Sequence, residues 1–335
     1  MDLPASWPVR SWAGHRVSWQ RHLTRLFSSL AATWLAMAPG VSAAADALSP
    51  MRLAPGVHVI AAPTGPATPA NRGRTHSTGI LIGPAGVVVI DPGPSHQAGQ
   101  RLLQTIRRLT HKPVMAVILT HAHPENVLAA GVVAGRYAPV IASHRTYALM
   151  RDRCSECLAR LTALAGEDAM RGTTIRLPDQ TVPAGSTERR YGGRSLRLIH
   201  TGWGHTAGDL AVLDVASGTL FAGGLANNRV MPDMHEAQTR GWIDALFALE
   251  TLAPARVVPG EGAPGGVALL TATRSYLTAL LERVEATYRH QGSVFDVLAD
   301  GELPAYAGWV RYAEAHPLNI QHVYAELEKE DFATR

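Results

Sequence analysis

Lysine is almost missing from this chain of 335 residues: it occurs only at Lys112 and Lys329, so arginine carries nearly all the positive charge. Of the formal net charge of +4, the part before residue 46 holds +3, with Arg10, Arg16, Arg21 and Arg25 facing only Asp2. The rest of the chain is close to neutral and has no Lys/Arg stripe, which argues against a nucleic-acid surface. Cysteine is limited to Cys154 and Cys157, too few for a four-thiolate zinc site. No low-complexity linker and no obvious repeat interrupts the chain. Its composition of 46% hydrophobic and 17% charged residues can build a substantial core.

Residues 26–45 follow Arg21 and Arg25 with an apolar stretch and end near Val41-Ser42-Ala43, a small-residue cleavage site. The stretch is short and too rich in Ser, Gly and Pro for a comfortable membrane span. It reads as a secretory signal, with an uncleaved anchor as the alternative and export to a periplasm as the expectation. A translation start near Val17 would account for residues 1–16. No paired arginines precede the apolar run, so a twin-arginine route is not indicated. In an oxidising compartment Cys154 and Cys157 read as a small disulfide or thiol pair, a staple at the end of a helix within Tyr147–Leu164.

The remaining chain alternates strand-like and helix-like segments. Thr78–Ile82, Val87–Ile90 and Pro113–Thr120 read as strands, and Gln97–Leu109 places Leu102, Leu103, Ile106 and Leu109 on one helical face. Thr173–Leu220 reads mostly as β, residues 239–253 as helix and Ala255–Pro259 as a last buried strand. From Val267 onward the pattern is helical. These blocks predict two sheets covered by helices: a domain over 46–266 and a helical C-terminal extension over 267–335 packed on it.

Thr120-His121-Ala122-His123 is the strongest local signal, because two imidazoles two residues apart on extended backbone point to the same side. They suit adjacent positions on one tetrahedral zinc. His205 lies in a second glycine-rich turn, Gly204 to Asp209, where Thr206 and Asp209 are placed to bond the turn or the ring. His200, His235 and His316 are read as structural.

These motifs, together with Gly86 to Gly93, Leu220 to Gly223 and Val257 to Gly260, resemble the metallo-β-lactamase superfamily. More narrowly, the chain is similar to the exported quinoprotein relay system zinc metallohydrolases, a likeness extended by His316-Pro317-Leu318-Asn319 and Tyr324 to Glu328. The resemblance implies a four-layer αββα sandwich. It implies zinc on His121, His123 and His205, and a buried Asp91 steadying the ligand loop. At the second-metal positions it expects Asp, His, Asp and His, where this chain has Glu125, Asn126, Gly224 and Glu261. One zinc per chain is therefore expected, and a two-zinc clamp on those positions is not.

Three imidazoles and a water suffice for hydrolytic chemistry on an ester, amide or related bond of a small molecule, with Glu125 as the proton acceptor. Glu261 is left as either a hard-cation ligand or a solvated turn residue. The alternative is a member that has lost catalysis and acts as an accessory protein of a periplasmic quinoprotein dehydrogenase system. Thiol redox work by the cysteine pair is weaker, since a lone pair lacks the surrounding thioredoxin-like pattern.

Overall fold

A computed structural model describes residues 48–334; the signal-like segment within residues 1–45 lies outside them. The β-branched runs form strands that alternate between two apolar layers. In Val87–Ile90 (β4), Val88 and Ile90 enter one hydrophobic cluster and Val87 and Val89 another. Val114–Ile118 (β5) does the same with Ala116 and Ile118 against Val117. Together with Met51–Ala54 (β1), Val57–Ile60 (β2), Thr78–Ile82 (β3), Val140–Ser143 (β6) and Gln180–Val182 (β7), they make a seven-stranded sheet in sequence order.

The second sheet has the order β12-β11-β10-β9-β8, built from Gly185–Tyr191 (β8), Arg194–His200 (β9), Ala211–Asp214 (β10), Thr219–Gly223 (β11) and Arg256–Pro259 (β12). The two sheets face each other across Leu81, Val88, Ile118, Leu198, Val212 and Phe221. The outer face of the first is covered by His96–Leu109 (α1), Ala130–Ala134 (α3) and His144–Ala165 (α4). The second is covered by Thr239–Glu250 (α6), Ala268–Arg289 (α7) and Tyr312–Thr334 (α9). Four layers result, in a metallo-β-lactamase-type sandwich with a helical C-terminal region. Pro124–Val127 (α2), Glu167–Met170 (α5) and Val294–Asp300 (α8) are short connecting helices.

The C-terminal region is sewn to the loop that leaves β11. Met231 N donates to Val310 O at 3.0 Å, Asn319 Nδ2 to Pro232 O at 3.0 Å, and Thr239 N to the Glu326 carboxylate at 3.1 Å. His316 accordingly serves packing: it meets the Tyr276 hydroxyl at 3.0 Å and Gly301 O at 3.1 Å. Among the described residues no helix is long and apolar enough to cross a membrane.

The cysteine expectation is corrected by α4. Ser143 caps the helix by accepting from Thr146 N, so the helix begins before Tyr147, and both cysteines fall in its interior as free thiols rather than at its end. Burial pushes the Cys154 thiol up to about 12, which makes it an inert core group.

A buried ion pair ties β9 to β10 within the second sheet. Arg194 donates from Nε to Asp214 Oδ1 at 2.8 Å and from Nη2 to Oδ2 at 2.6 Å, and Asp214 has no exposed surface. Burial alone would raise the Asp214 carboxyl, but hydrogen bonds from Arg194 and Ser217 hold it below its usual value. Arg194→Ala leaves that charge unpaired and is expected to cost about 3–5 kcal/mol, read by urea unfolding, with metal binding retained.

Candidate metal centre

The parallel pairing of β4 with β5, and of β11 with β12, brings four strand ends to one edge of the sandwich. Asp91 follows β4 with φ of 52°, in the left-handed region that L residues seldom adopt. The bend turns its carboxylate toward the end of β5. There Oδ1 accepts from Thr120 N at 2.8 Å and Oδ2 from the Thr120 hydroxyl at 2.7 Å. That hydroxyl, having donated to Asp91, is free to accept from His121 Nδ1 at 2.8 Å. With that hydroxyl accepting, the proton of His121 sits on Nδ1 and Nε2 is left able to accept. Asp91 therefore steadies, through Thr120, the loop that carries His121 and His123.

His205 is brought to the same point by the turn after β9. Thr206 donates to Asp209 from N at 2.8 Å and from Oγ1 at 2.9 Å, so Asp209 is spent on the turn and stands 3.5 Å from His205 Nδ1. His200, at the end of β9, makes a 2.8 Å contact with Asp209 O. Leu210 N donates to Thr120 O at 2.8 Å and ties the two ligand loops together. Gly208 lets the same turn press against the start of α4, since a Cβ there would stand 2.4 Å from Thr146 Oγ1.

The rings of His121, His123 and His205 have centroids 4.7–4.9 Å apart and are mutually tilted by 72–83°. One ligand atom from each converges with the others within 4.8 Å. Imidazoles sharing an ion through bonds of about 2.0–2.1 Å hold their centres about 5 Å apart, so the residues fit a zinc-sized ion. The buried His205 Nδ1 and His123 Nε2 have no hydrogen-bond partner. Burial in this nest, then the charges of neighbouring histidines, drives His121 well below its usual value and keeps it a neutral donor.

At the positions where the resemblance expects second-metal ligands, the residues are placed as follows. The fully buried Asn126 lays its amide nitrogen 3.1 Å from His121 Nδ1 and 3.3 Å from Nε2, a contact with the ring rather than a cation site. Gly224 gives His205 its room: a Cβ there would meet the ring at 2.2 Å from Nδ1 and 2.4 Å from Cε1. Glu261 is not a solvated turn residue. It is largely buried with Oε2 unpartnered, and burial pushes its carboxyl up to about 7.

Two histidines gain a place that their sequence context did not reveal. His76 is buried with its ring 5.2 Å from that of His121 and Nε2 3.9 Å from Asp91 Oδ2. Burial lowers His76 to about 3 and raises Asp91 to about 7, so both shifts oppose an ion pair and the contact is a packing one. His235, read from sequence as structural, stands with His123 and Glu236 in a second group of potential ligands. Glu125 Oε1 lies 3.6 Å from His123 Nδ1, and Glu236 Oε2 lies 3.8 Å from Nε2. Burial would lower His123, but these carboxylates outweigh it and raise the ring to about 9, while His123 in turn holds Glu236 down to about 2. At 3.8 Å the His123–Glu236 contact is ionic rather than hydrogen-bonded.

Linkage fixes the sign of two contributions to the pH dependence of the metal-free fold. Asp91 and Glu261 have folded values above their unfolded ones, so their contribution is fully present below about pH 4 and is lost as the pH rises through about 7. Asp91→Asn removes one downward contribution and is expected to make the slope of unfolding free energy against pH more positive between those limits than in wild type, measured by urea titration in chelator.

The centre floors an open cleft of about 580 Å³, lined by His76, Glu125, Arg160, His235, Glu261 and Arg311 among others. The sequence model of the metallo-β-lactamase superfamily matches residues 72–261, more than half of the chain, and the chain belongs to that superfamily. Its fold is similar to the metallo-β-lactamase from Pontibacter korlensis, at 23% identity and a TM-score of 0.57, covering 69% of this chain and 99% of that one. It is likewise similar to the metallo-β-lactamase from Hirschia baltica, at 17% identity and a TM-score of 0.56, covering 69% of this chain and 98% of that one. A search of curated proteins finds no match.

Proposed function

We propose that the protein is a zinc-dependent hydrolase, exported to a periplasm, that cleaves an ester, amide or related bond. The observation that carries this reading is the convergence of His121, His123 and His205 at the floor of an open cleft. An ion held there would polarise the scissile carbonyl and bring the pKa of a water near neutrality. The protein's own part is to orient and to move protons. His121 is held in one tautomer by Thr120 and Asp91. Glu125, in the first turn of α2 and lining the cleft, is positioned as proton acceptor. Arg160 and Arg311 at the same cleft would favour a substrate bearing an anionic group.

Glu125→Gln is expected to lower kcat about 10²–10⁴-fold on a reporter ester or lactam while metal content stays at the wild-type value. Glu261, with a carboxyl near 7, is the competing acceptor. On the present assignment Glu261→Gln retains the acid limb of the pH–rate profile. Loss of that limb in Glu261→Gln, with activity kept in Glu125→Gln, transfers the role to Glu261. A metal-loaded protein inert across a broad ester, amide, thioester and lactam panel would instead favour the accessory role in a quinoprotein dehydrogenase system.

A further inference from the structure

We propose that His123, His235 and Glu236 form a second divalent transition-metal site, sharing His123 with the three-histidine centre and built on the loop after β11 rather than on the superfamily's second-metal positions. This rests on the reading of His121, His123 and His205 as metal ligands, and adds ligands from an element outside that set.

Four observations carry it. One ligand atom from each of the three residues lies within 4.8 Å of the others. The His123 and His235 rings are stacked, with centroids 5.4 Å apart and planes 17° apart, which holds the two imidazoles as neighbours beside Glu236. His123 Nε2 is buried without a hydrogen-bond partner and its nearest carboxylate oxygen is Glu236 Oε2, 3.8 Å away. A tetrahedral ion with bonds of about 2.0–2.1 Å sets its ligand atoms about 3.3 Å apart, so the three groups would close in by up to about 1.5 Å as the half-exposed His235 ring turns out of its stack. Finally, the outer contacts already orient the ligands. Asp233 Oδ1 meets His235 Nδ1 at 2.8 Å and leaves Nε2 for the ion, and Arg153 binds Glu236 Oε1 at 2.6 Å and leaves Oε2.

The loop is held from three sides, by Trp203 Nε1 donating to Glu236 O at 2.8 Å, by the Met231–Val310 bond and by Asn319 on Pro232. Two imidazoles and a carboxylate suit zinc, cobalt or nickel better than magnesium or calcium. His123 would serve the three-histidine centre through Nδ1 and the new site through Nε2. Filling both positions takes the remaining N–H proton off the ring, and that proton passes to solvent.

The test is titration of the full-length protein with Zn²⁺ in competition with a chromophoric chelator. Two equivalents are expected in wild type and one in His235→Ala and Glu236→Gln, whose side chains are exposed enough to change without loss of fold, as circular dichroism would verify. Asp233→Asn is expected to weaken the second equivalent about 10–100-fold. His121→Ala should lose the other equivalent and keep this one. A single equivalent in wild type, or two surviving in both loop variants, overturns the proposal. Failure of the three-histidine reading looks different, because His121→Ala would then leave the stoichiometry unchanged.

Discussion

His121→Ala is expected to abolish both metal binding at the three-histidine centre and hydrolysis, while the fold survives. Apparent free energies of about 10–16 kcal/mol for structural zinc, spread over its ligands, put one imidazole at about 3–5 kcal/mol, or a 10²–10⁴-fold loss of affinity. Here the loss should lie toward the upper end. His121 is 1% exposed, and its orienting relay through the Thr120 hydroxyl to Asp91 has no other ring to serve. The cavity left by the missing ring is bordered by His76, His123 and His205, none of which is placed to substitute for Nε2. Inductively coupled plasma analysis beside a reporter assay reads both effects. Retained activity in metal-free His121→Ala would remove the centre from the chemistry.

Gly224→Asp is expected to damage the protein, although it returns the residue that the superfamily resemblance expects at that position. The added Cβ would sit 2.2 Å from His205 Nδ1, well inside contact distance. The ring can move only toward the cleft that it helps to line, away from the other two imidazoles. Trp242 packs against it at 5.3 Å, itself fully buried and anchored by Nε1 donating to Leu225 O at 2.9 Å, and His121 and His123 close the other sides. Overpacking of this kind costs about 1–3 kcal/mol and displaces the ligand. Gly224→Ala separates the two effects, because it adds the clash without the carboxylate. Both variants should show a lower Tm and at least a 10-fold weaker first metal. A gain of metal in Gly224→Asp would contradict the view that Gly224 makes room for His205.

The pattern of legibility follows from how far each residue's position depends on its neighbours in sequence. Val87–Ile90 and Thr78–Ile82 were readable as short runs between Gly-Pro punctuation, and the helix over 96–109 by its apolar period of about 3.6, both of which are local signals. The order of elements gave two sheets covered by helices, and the four-layer arrangement came from the superfamily resemblance. His121 and His123 were readable because extended backbone at the end of β5 sends both side chains the same way. His235 was not, since its place depends on a loop held by Trp203, Val310 and Asn319, residues far away in the chain. His76 was silent for the same reason: its buried position depends on the bare backbone at Gly260, where a Cβ would stand 2.2 Å from its Cε1. Gly224 is the instructive case. In sequence it reads as a missing carboxylate, and in the folded chain it is the space that the His205 ring occupies.

Metal analysis of the purified protein, set beside a His121→Ala, His123→Ala, His205→Ala triple variant, tests the central claim most directly. The three converging imidazoles predict zinc bound at the centre in wild type, with all of that ion lost in a triple variant that keeps its circular dichroism spectrum. Metal-free wild type with an intact fold, or the same zinc content in both proteins, would contradict it.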